Sequence, residues 1–235
     1  MSSGQTDCPP ASAIPADTEH RQAFDSIALP RFASRGESRP FVAALEGGNG
    51  VGKTTLLHSL STLLGAPSCL GTDPAWFSEA FKVRMIRDAQ WYASAMFFLS
   101  GCFEQMRTLQ ARTEPLILMD RSLWSTLAVH AAQCTGRLES LIAMLGPIAG
   151  EVVVPDLTLV LDASFTSCSE RIATKTGTAR ALDELTATAR FHAREGEFYR
   201  WLARQAPGVV FIDAEAGPAQ VAQRAAALIR ERTRC

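Results

Sequence analysis

The sequence predicts a three-layer α/β fold in which helices cover both faces of a parallel β-sheet. Three observations predict it: five short apolar runs recur along the 235-residue chain, Gly, Pro or Asp bounds each run, and helix-length segments separate them. Strands buried on both faces have continuous apolar sequences, and their alternation with helices is typical of parallel sheets. Ligands of such sheets bind beyond the carboxyl ends of the strands, where we therefore expect the functional residues.

Each element follows from its apolar pattern. The predicted strands cover residues 41–45, 68–71, 116–119, 157–161 and 209–212. The predicted helices cover residues 53–64, 76–111 (long enough for two helices), 125–145, 167–173, 183–206 and 218–233. Residues 1–39 are rich in Pro, Ser and Ala without a sustained period, which predicts a flexible N-terminal extension ahead of a domain at 40–235.

Composition excludes several classes of protein. Apolar residues make up 47% of the chain and charged residues 20%, which excludes a wholly disordered or collagen-like chain. The formal net charge of −1 gives no global basic field for nucleic acid, and no apolar stretch approaches the ~20 residues that cross a bilayer. The six cysteines are scattered, without a metal-binding or disulfide pattern. We therefore expect a cytoplasmic protein that binds neither nucleic acid nor a membrane.

The strongest motif is a glycine-rich loop between the first predicted strand and helix. Its sequence GGNGVGKT matches the pattern G-x-x-x-x-G-K-[ST], in which backbone N–H groups and a helix N-terminus surround a polyphosphate. Lys53 would place a cation between the β- and γ-phosphates, and the Thr54 hydroxyl would bind Mg²⁺. The predicted nucleotide-binding residues here are Gly47, Gly48, Asn49, Gly50, Val51, Gly52, Lys53, Thr54 and Thr55.

A second motif, Asp120-Arg121, follows the third predicted strand. A carboxylate at a strand end beside a phosphate loop can hold a Mg²⁺-bound water or orient an attacking oxygen, so Asp120 is a candidate catalytic residue and metal ligand. The guanidinium of Arg121 is suited to bidentate binding of a phosphate. The alternative is that Asp120 caps the next helix and pairs with Arg121. A phosphate loop in the same sheet favours the functional interpretation.

Together these motifs resemble the thymidylate kinase family. The resemblance runs from about residue 41 to the C-terminus and depends on LEG at 45–47, GKTT at 52–55, DRS at 120–122, PDLTLVLD at 155–162 and ERI at 170–172. It implies a three-layer P-loop NTPase fold, with a five-stranded parallel sheet in the order 2-3-1-4-5 and a mobile lid. It also implies transfer of the ATP γ-phosphoryl group to a nucleoside monophosphate, either dTMP or a related or modified pyrimidine nucleotide.

Other segments are similar to the deoxynucleoside kinase family. DRSLWS at 120–125 is similar to that family's ERS-x-[YF]-S step, and DPAW at 73–76 to its acid-Pro-x-x-Trp segment. Asp73 lies on the acceptor side in either resemblance, although it could equally cap a helix. The Arg that reads thymine in thymidylate kinases is missing, since Gly101-Cys102 follows the Phe-rich segment. Phe98 is a candidate floor for a rebuilt base pocket, or equally a residue of the ordinary core. The acceptor stays open between a nucleoside and a nucleotide.

The segment TKTGTAR at 174–180 suits a mobile lid between two helices. Arg180 is the candidate catalytic lid cation, with Lys175 beside it, because phosphoryl transfer spreads negative charge that cations stabilise. Arg171, on the preceding helix, is a candidate nucleotide-binding residue.

Three hypotheses follow: a nucleotide kinase, a deoxynucleoside kinase, and a nucleotide-binding regulator without an acceptor. Dimers are common in both families, so a homodimer is a further open alternative.

Overall fold

A computed structural model describes residues 24, 26–33, 39–72, 78–176, 183 and 186–234. The predicted site residues Asp73 and Arg180 lie outside the described residues, as do residues 1–23 of the predicted extension and most of the predicted lid. No helix in the described ranges has both the length and the apolar character that crossing a membrane requires.

The five strands form one parallel sheet in the order β2-β3-β1-β4-β5, as predicted. The strands are β1 (Phe41–Glu46), β2 (Ser68–Leu70), β3 (Leu116–Asp120), β4 (Leu157–Asp162) and β5 (Val209–Asp213). All six residues of the central strand β1 are buried, because helices cover both of its faces. In the register between β1 and β3, Leu45 pairs with Asp120, so the ends of these two strands lie side by side.

Eight α-helices flank the sheet within the described residues. They are α1 (Lys53–Leu64), α2 (Glu79–Arg87), α3 (Trp91–Gln110), α4 (Leu123–Gln133), α5 (Leu138–Leu145), α6 (Phe165–Ala173), α7 (Ala189–Gln205) and α8 (Pro218–Thr233). The helix predicted over 125–145 is interrupted, because Cys134 leaves the helical region (φ −153°, ψ 89°) and the chain forms a short 3₁₀ turn at Thr135–Arg137. The helix predicted from 183 begins at Ala189, where the Thr188 side chain caps it by accepting from the Phe191 N–H.

The alternation of side chains along β1 divides the core between the two faces of the sheet. Ala43 and Leu45 belong to the cluster formed with α1 and α8, whereas Val42 and Ala44 pack with residues of α3. On this second face α4 also packs against α7. Burying a large aliphatic side chain stabilises the fold by ~1.5–3 kcal/mol, so the clusters on the two faces hold the three layers together.

The core also includes residues that precede position 40, where we predicted the domain to begin. Phe24 and Ile27 are buried, and the Phe24 ring lies 5.8 Å from that of Trp201. The Trp201 indole N–H donates to the carbonyl of Ile27 over 3.3 Å. The sequence predicts only a short helix near residues 21–27, and a run this short does not show which distant part of the chain it packs against.

Candidate active site

The glycine loop connects the end of β1, at Glu46, to the start of α1, at Lys53. Gly47, Gly50 and Gly52 have φ of +119°, +84° and +101°, a region that favours glycine. A Cβ atom at Gly47 would lie 2.5 Å from the carbonyl oxygen of Leu161, and one at Gly50 would overlap the carbonyl of Cys168. The loop therefore needs glycine both for its backbone conformation and for its close approach to β4 and α6.

Lys53 is buried at the base of this loop. Its ammonium group donates to the carbonyl oxygens of Gly47 and Gly48, each over 2.7 Å. Burial, with a further contribution from the positive charge of Arg121, lowers the pKa of Lys53 to about 7. A bound polyphosphate would supply negative charge and favour the protonated lysine, so this side chain is suited to binding an anion.

Asp120 and Arg121 lie beside Lys53, at the carboxyl end of β3. The Arg121 backbone N–H donates to the Leu45 carbonyl over 3.0 Å, which holds the end of β3 against β1. Arg121 has a positive φ of 68°, a conformation that costs a non-glycine residue ~1–3 kcal/mol and is often found at functional sites. The charges of Asp120 and Arg121 both act on Lys53, so the structure brings these three predicted residues together.

The Arg121 side chain is held by neutral groups. One of its nitrogens donates to the Asn49 side-chain carbonyl over 2.6 Å, and another donates to the Ser125 hydroxyl over 3.3 Å. Burial acts to lower the pKa of Arg121, but the neighbouring acidic groups of Tyr199, Glu195, Asp120 and Glu46 together raise it. The guanidinium therefore remains charged next to the phosphate loop.

The donors present fit a magnesium ion that is shared with phosphates. The Oδ1 atom of Asp120 is buried and has no hydrogen-bond partner among the described residues, as expected of an oxygen that binds a metal or its water. Thr54 is exposed in the first turn of α1. Within the described part of the chain no cluster of three or more His, Cys, Asp or Glu residues forms a metal site. Mg²⁺ commonly uses one or two protein ligands and completes its shell with phosphate and water.

Glu46 is a buried acid to which we gave no role from the sequence. Its carboxylate accepts from the hydroxyls of Ser122 (2.5 Å), Ser125 and Tyr199 (3.0 Å). Burial raises the pKa of Glu46, whereas the hydrogen bonds from these hydroxyls oppose the rise. Glu46 thus ties β1 to α4 and α7, and the Ser125 hydroxyl connects it to Arg121. The signal in the sequence is a charged residue that ends an otherwise apolar strand, immediately before the glycine loop.

Glu195 is a second acid that sequence reasoning missed. It is 5% exposed on α7, and its Oε2 lies 3.0 Å from where a Cβ on Gly48 would be. Burial raises the pKa of Glu195, and the positive charges of Arg121 and Lys53 oppose this. Glu195 precedes the buried residues Phe198, Tyr199 and Leu202 by three, four and seven positions, so it shares their helix face. An acid on an apolar helix face was the available signal.

The remaining predicted residues lie around this centre. The Arg171 guanidinium donates to the carbonyls of Val51 (3.3 Å) and Ala214 (3.0 Å), which links the glycine loop to the chain after β5. Lys175 forms an ion pair with Asp183 over 2.6 Å. Phe98 packs edge-on against Phe97 on α3, with 4.9 Å between ring centroids. A nucleotide contact by Arg171 and an acceptor contact by Phe98 remain predictions.

The sheet order and the glycine loop define an α/β fold of the P-loop kinase type. A deoxyadenosine kinase from M. mycoides with bound dATP has this fold, with a TM-score of 0.62 and 16% identity over 81% of this chain and 99% of that chain. The same kinase with the products dCMP and a flexible dCDP bound gives a TM-score of 0.61 and 15% identity over 81% and 98% of the two chains. Likeness at this identity establishes the fold. No protein-family model and no curated protein matches the chain.

Proposed function

We propose that this protein is an ATP-dependent phosphotransferase that moves the γ-phosphoryl group to a nucleoside or nucleotide. The observation that carries the proposal is the grouping of Lys53, Asp120 and Arg121 beside the glycine loop, at the carboxyl ends of β1 and β3. In parallel α/β sheets this edge is where ligands bind. Phosphoryl transfer needs positioning and cations more than covalent chemistry, and this cluster is suited to both.

Each residue has a distinct role in the proposal. Lys53 binds the β- and γ-phosphates, and Arg121 orients the acceptor. Thr54 and Asp120 would hold Mg²⁺, which supplies positive charge for the phosphates when bound. The orphaned Oδ1 of Asp120 supports this assignment. Arg180, outside the described residues, remains the proposed lid cation.

The first candidate acceptor is the 5′-hydroxyl of a deoxynucleoside. Lys53 and Arg121 are surrounded by three carboxylates, those of Glu46, Asp120 and Glu195. An acceptor with a 5′-phosphate would add negative charge to this group, whereas an uncharged nucleoside adds none. The likeness to deoxyadenosine kinase structures is consistent with this choice.

The second candidate acceptor is a nucleoside monophosphate, dTMP or a related or modified pyrimidine nucleotide, as the resemblance to thymidylate kinases implies. The observation in its favour is Arg121, a buried guanidinium with the fork geometry that binds phosphate in two places. In this case Arg121 would contact the acceptor phosphate directly. Replacement of Arg121 by Ala would then weaken binding of the monophosphate far more than binding of ATP.

The two acceptors are separated by acceptor-dependent release of ADP. The purified chain, with ATP and Mg²⁺, is assayed against four deoxynucleosides and their 5′-monophosphates in matched pairs. We expect the nucleosides to stimulate ADP release more than the monophosphates, and the Lys53→Ala variant to abolish both signals. Greater stimulation by monophosphates would support the second candidate. Binding of ATP without stimulation by any of the eight compounds would contradict the phosphotransferase proposal and favour a nucleotide-binding regulator.

A further inference from the structure

A chain of hydrogen bonds leads from Arg121 through the glycine loop to the segment before α7. The Arg121 guanidinium donates to the Asn49 side-chain oxygen over 2.6 Å. The Asn49 side-chain nitrogen donates to the Thr186 hydroxyl over 2.9 Å, and that hydroxyl donates to the Asp183 carbonyl over 3.2 Å. In this chain of bonds the amide of Asn49, a neutral group, connects Arg121 to Thr186.

The direction of every bond in this chain is determined by chemistry. A guanidinium only donates, so the oxygen of the Asn49 amide must face Arg121 and the NH₂ group must face Thr186. The Thr186 hydroxyl accepts from this NH₂ group and uses its own hydrogen for the Asp183 carbonyl, which only accepts. The Thr186 hydroxyl therefore holds the Asn49 amide in the orientation that the guanidinium requires.

Three carboxylates compete with Asn49 for the Arg121 guanidinium. The carboxylates of Glu195, Asp120 and Glu46 all attract its positive charge, and its other neutral partner, Ser125, lies at the longer distance of 3.3 Å. A guanidinium binds a carboxylate more strongly than a neutral amide, so without a fixed neutral partner it would turn toward a carboxylate. Its donors would then be used by the protein instead of the acceptor.

We propose that Asn49 is a positioning residue, which holds the Arg121 guanidinium in its acceptor-binding orientation and is itself oriented by Thr186. This inference rests on the proposed function, in which Arg121 binds the acceptor. It gives the third residue of the glycine loop a role toward the acceptor, in addition to the loop's role toward ATP. It also gives Thr186, which no motif marks, a role that acts through Asn49.

The test compares Asn49→Ala, Thr186→Val, Thr186→Ser and the Asn49→Ala/Thr186→Val double variant with the unmodified chain and Arg121→Ala. The readouts are acceptor KM, kcat, the Kd of ATP and thermal stability. We expect Asn49→Ala to raise acceptor KM about tenfold, as for a lost hydrogen bond to a charged group, and Thr186→Val about threefold. Thr186→Ser keeps the hydroxyl and should behave as the unmodified chain does. The double variant should match Asn49→Ala, because both changes break one chain of bonds.

Several outcomes would overturn the inference. An unchanged KM for Thr186→Val would show that Asn49 is not oriented by Thr186. Additive effects in the double variant would show that the two residues act separately. Equal losses for Thr186→Val and Thr186→Ser, with a lowered Tm, would assign Thr186 a structural role. If Arg121→Ala leaves acceptor KM unchanged, the proposed role of Arg121 fails and this inference with it; if only Arg121→Ala raises KM, the positioning role alone fails.

Discussion

The buried imidazole of His130 makes the stability of the fold depend on pH. His130 is 2% exposed on α4, and its Nδ1 lies 2.7 Å from the Thr126 carbonyl. Its Nε2 has no hydrogen-bond partner among the described residues. Burial lowers the pKa of His130 from its ordinary value of 6.5 to about 4, although the bond to Thr126 opposes this. The folded protein therefore keeps His130 neutral where an unfolded chain would protonate it.

The magnitude follows from linkage between protonation and folding. Because the folded pKa is the lower one, the unfolded chain binds the proton first as the pH falls, and stability decreases from about pH 6.5 down to about pH 4. Between pH 7 and pH 5 this single group removes about 2 kcal/mol from the free energy of unfolding. Above pH 7 both states hold a neutral imidazole, and the contribution stays constant.

The perturbation is His130→Phe, which keeps a buried ring at this position and removes the titration. Urea unfolding at pH 7 and pH 5 gives the free energy of unfolding of each variant. We expect the loss between the two pH values to be about 2 kcal/mol smaller in His130→Phe than in the unmodified chain. His58→Gln is the matched control, because His58 is exposed on α1. Equal losses in His130→Phe and the unmodified chain would refute the reasoning.

Three further predictions concern the loop and its charges. In urea titrations Gly50→Ala should lower the free energy of unfolding by at least ~2 kcal/mol more than Gly65→Ala does. Both glycines have a positive φ, but only a Cβ atom at Gly50 would overlap backbone atoms. Equal losses of stability in the two variants would contradict this. Lys53→Ala should remove most turnover, and so should Asp120→Asn, but with a smaller loss of ATP affinity as measured by calorimetry. An active Lys53→Ala variant would argue against the proposed phosphate-binding site. Glu195→Gln should tighten ATP binding about tenfold, because it removes a buried negative charge beside Gly48; weaker binding would show that the carboxylate assists the nucleotide.

Local patterns predicted the parts of the molecule that local physics decides. The strand order 2-3-1-4-5 was implied by the resemblance, and the strands themselves were visible because buried strands must be continuously apolar. Helices α1 and α8 begin and end at the predicted residues. The break after Gln133 was missed, since the apolar period continues across it and only the backbone of Cys134 shows the interruption.

By itself the sequence determined the parallel α/β sheet, the glycine loop before Lys53 and the strand end at Asp120, because each depends on short-range periodicity or on a motif whose residues are adjacent. Only the tertiary structure revealed that Glu46 and Glu195 surround Arg121, that Asn49 links it to Thr186, and that Phe24 joins the core. These contacts join distant parts of the chain; the hydrogen bond between Trp201 and Ile27, for example, spans 174 positions. A single sequence carries no record of such pairs, since they form only when the crossover helices bring distant segments to one edge of the sheet.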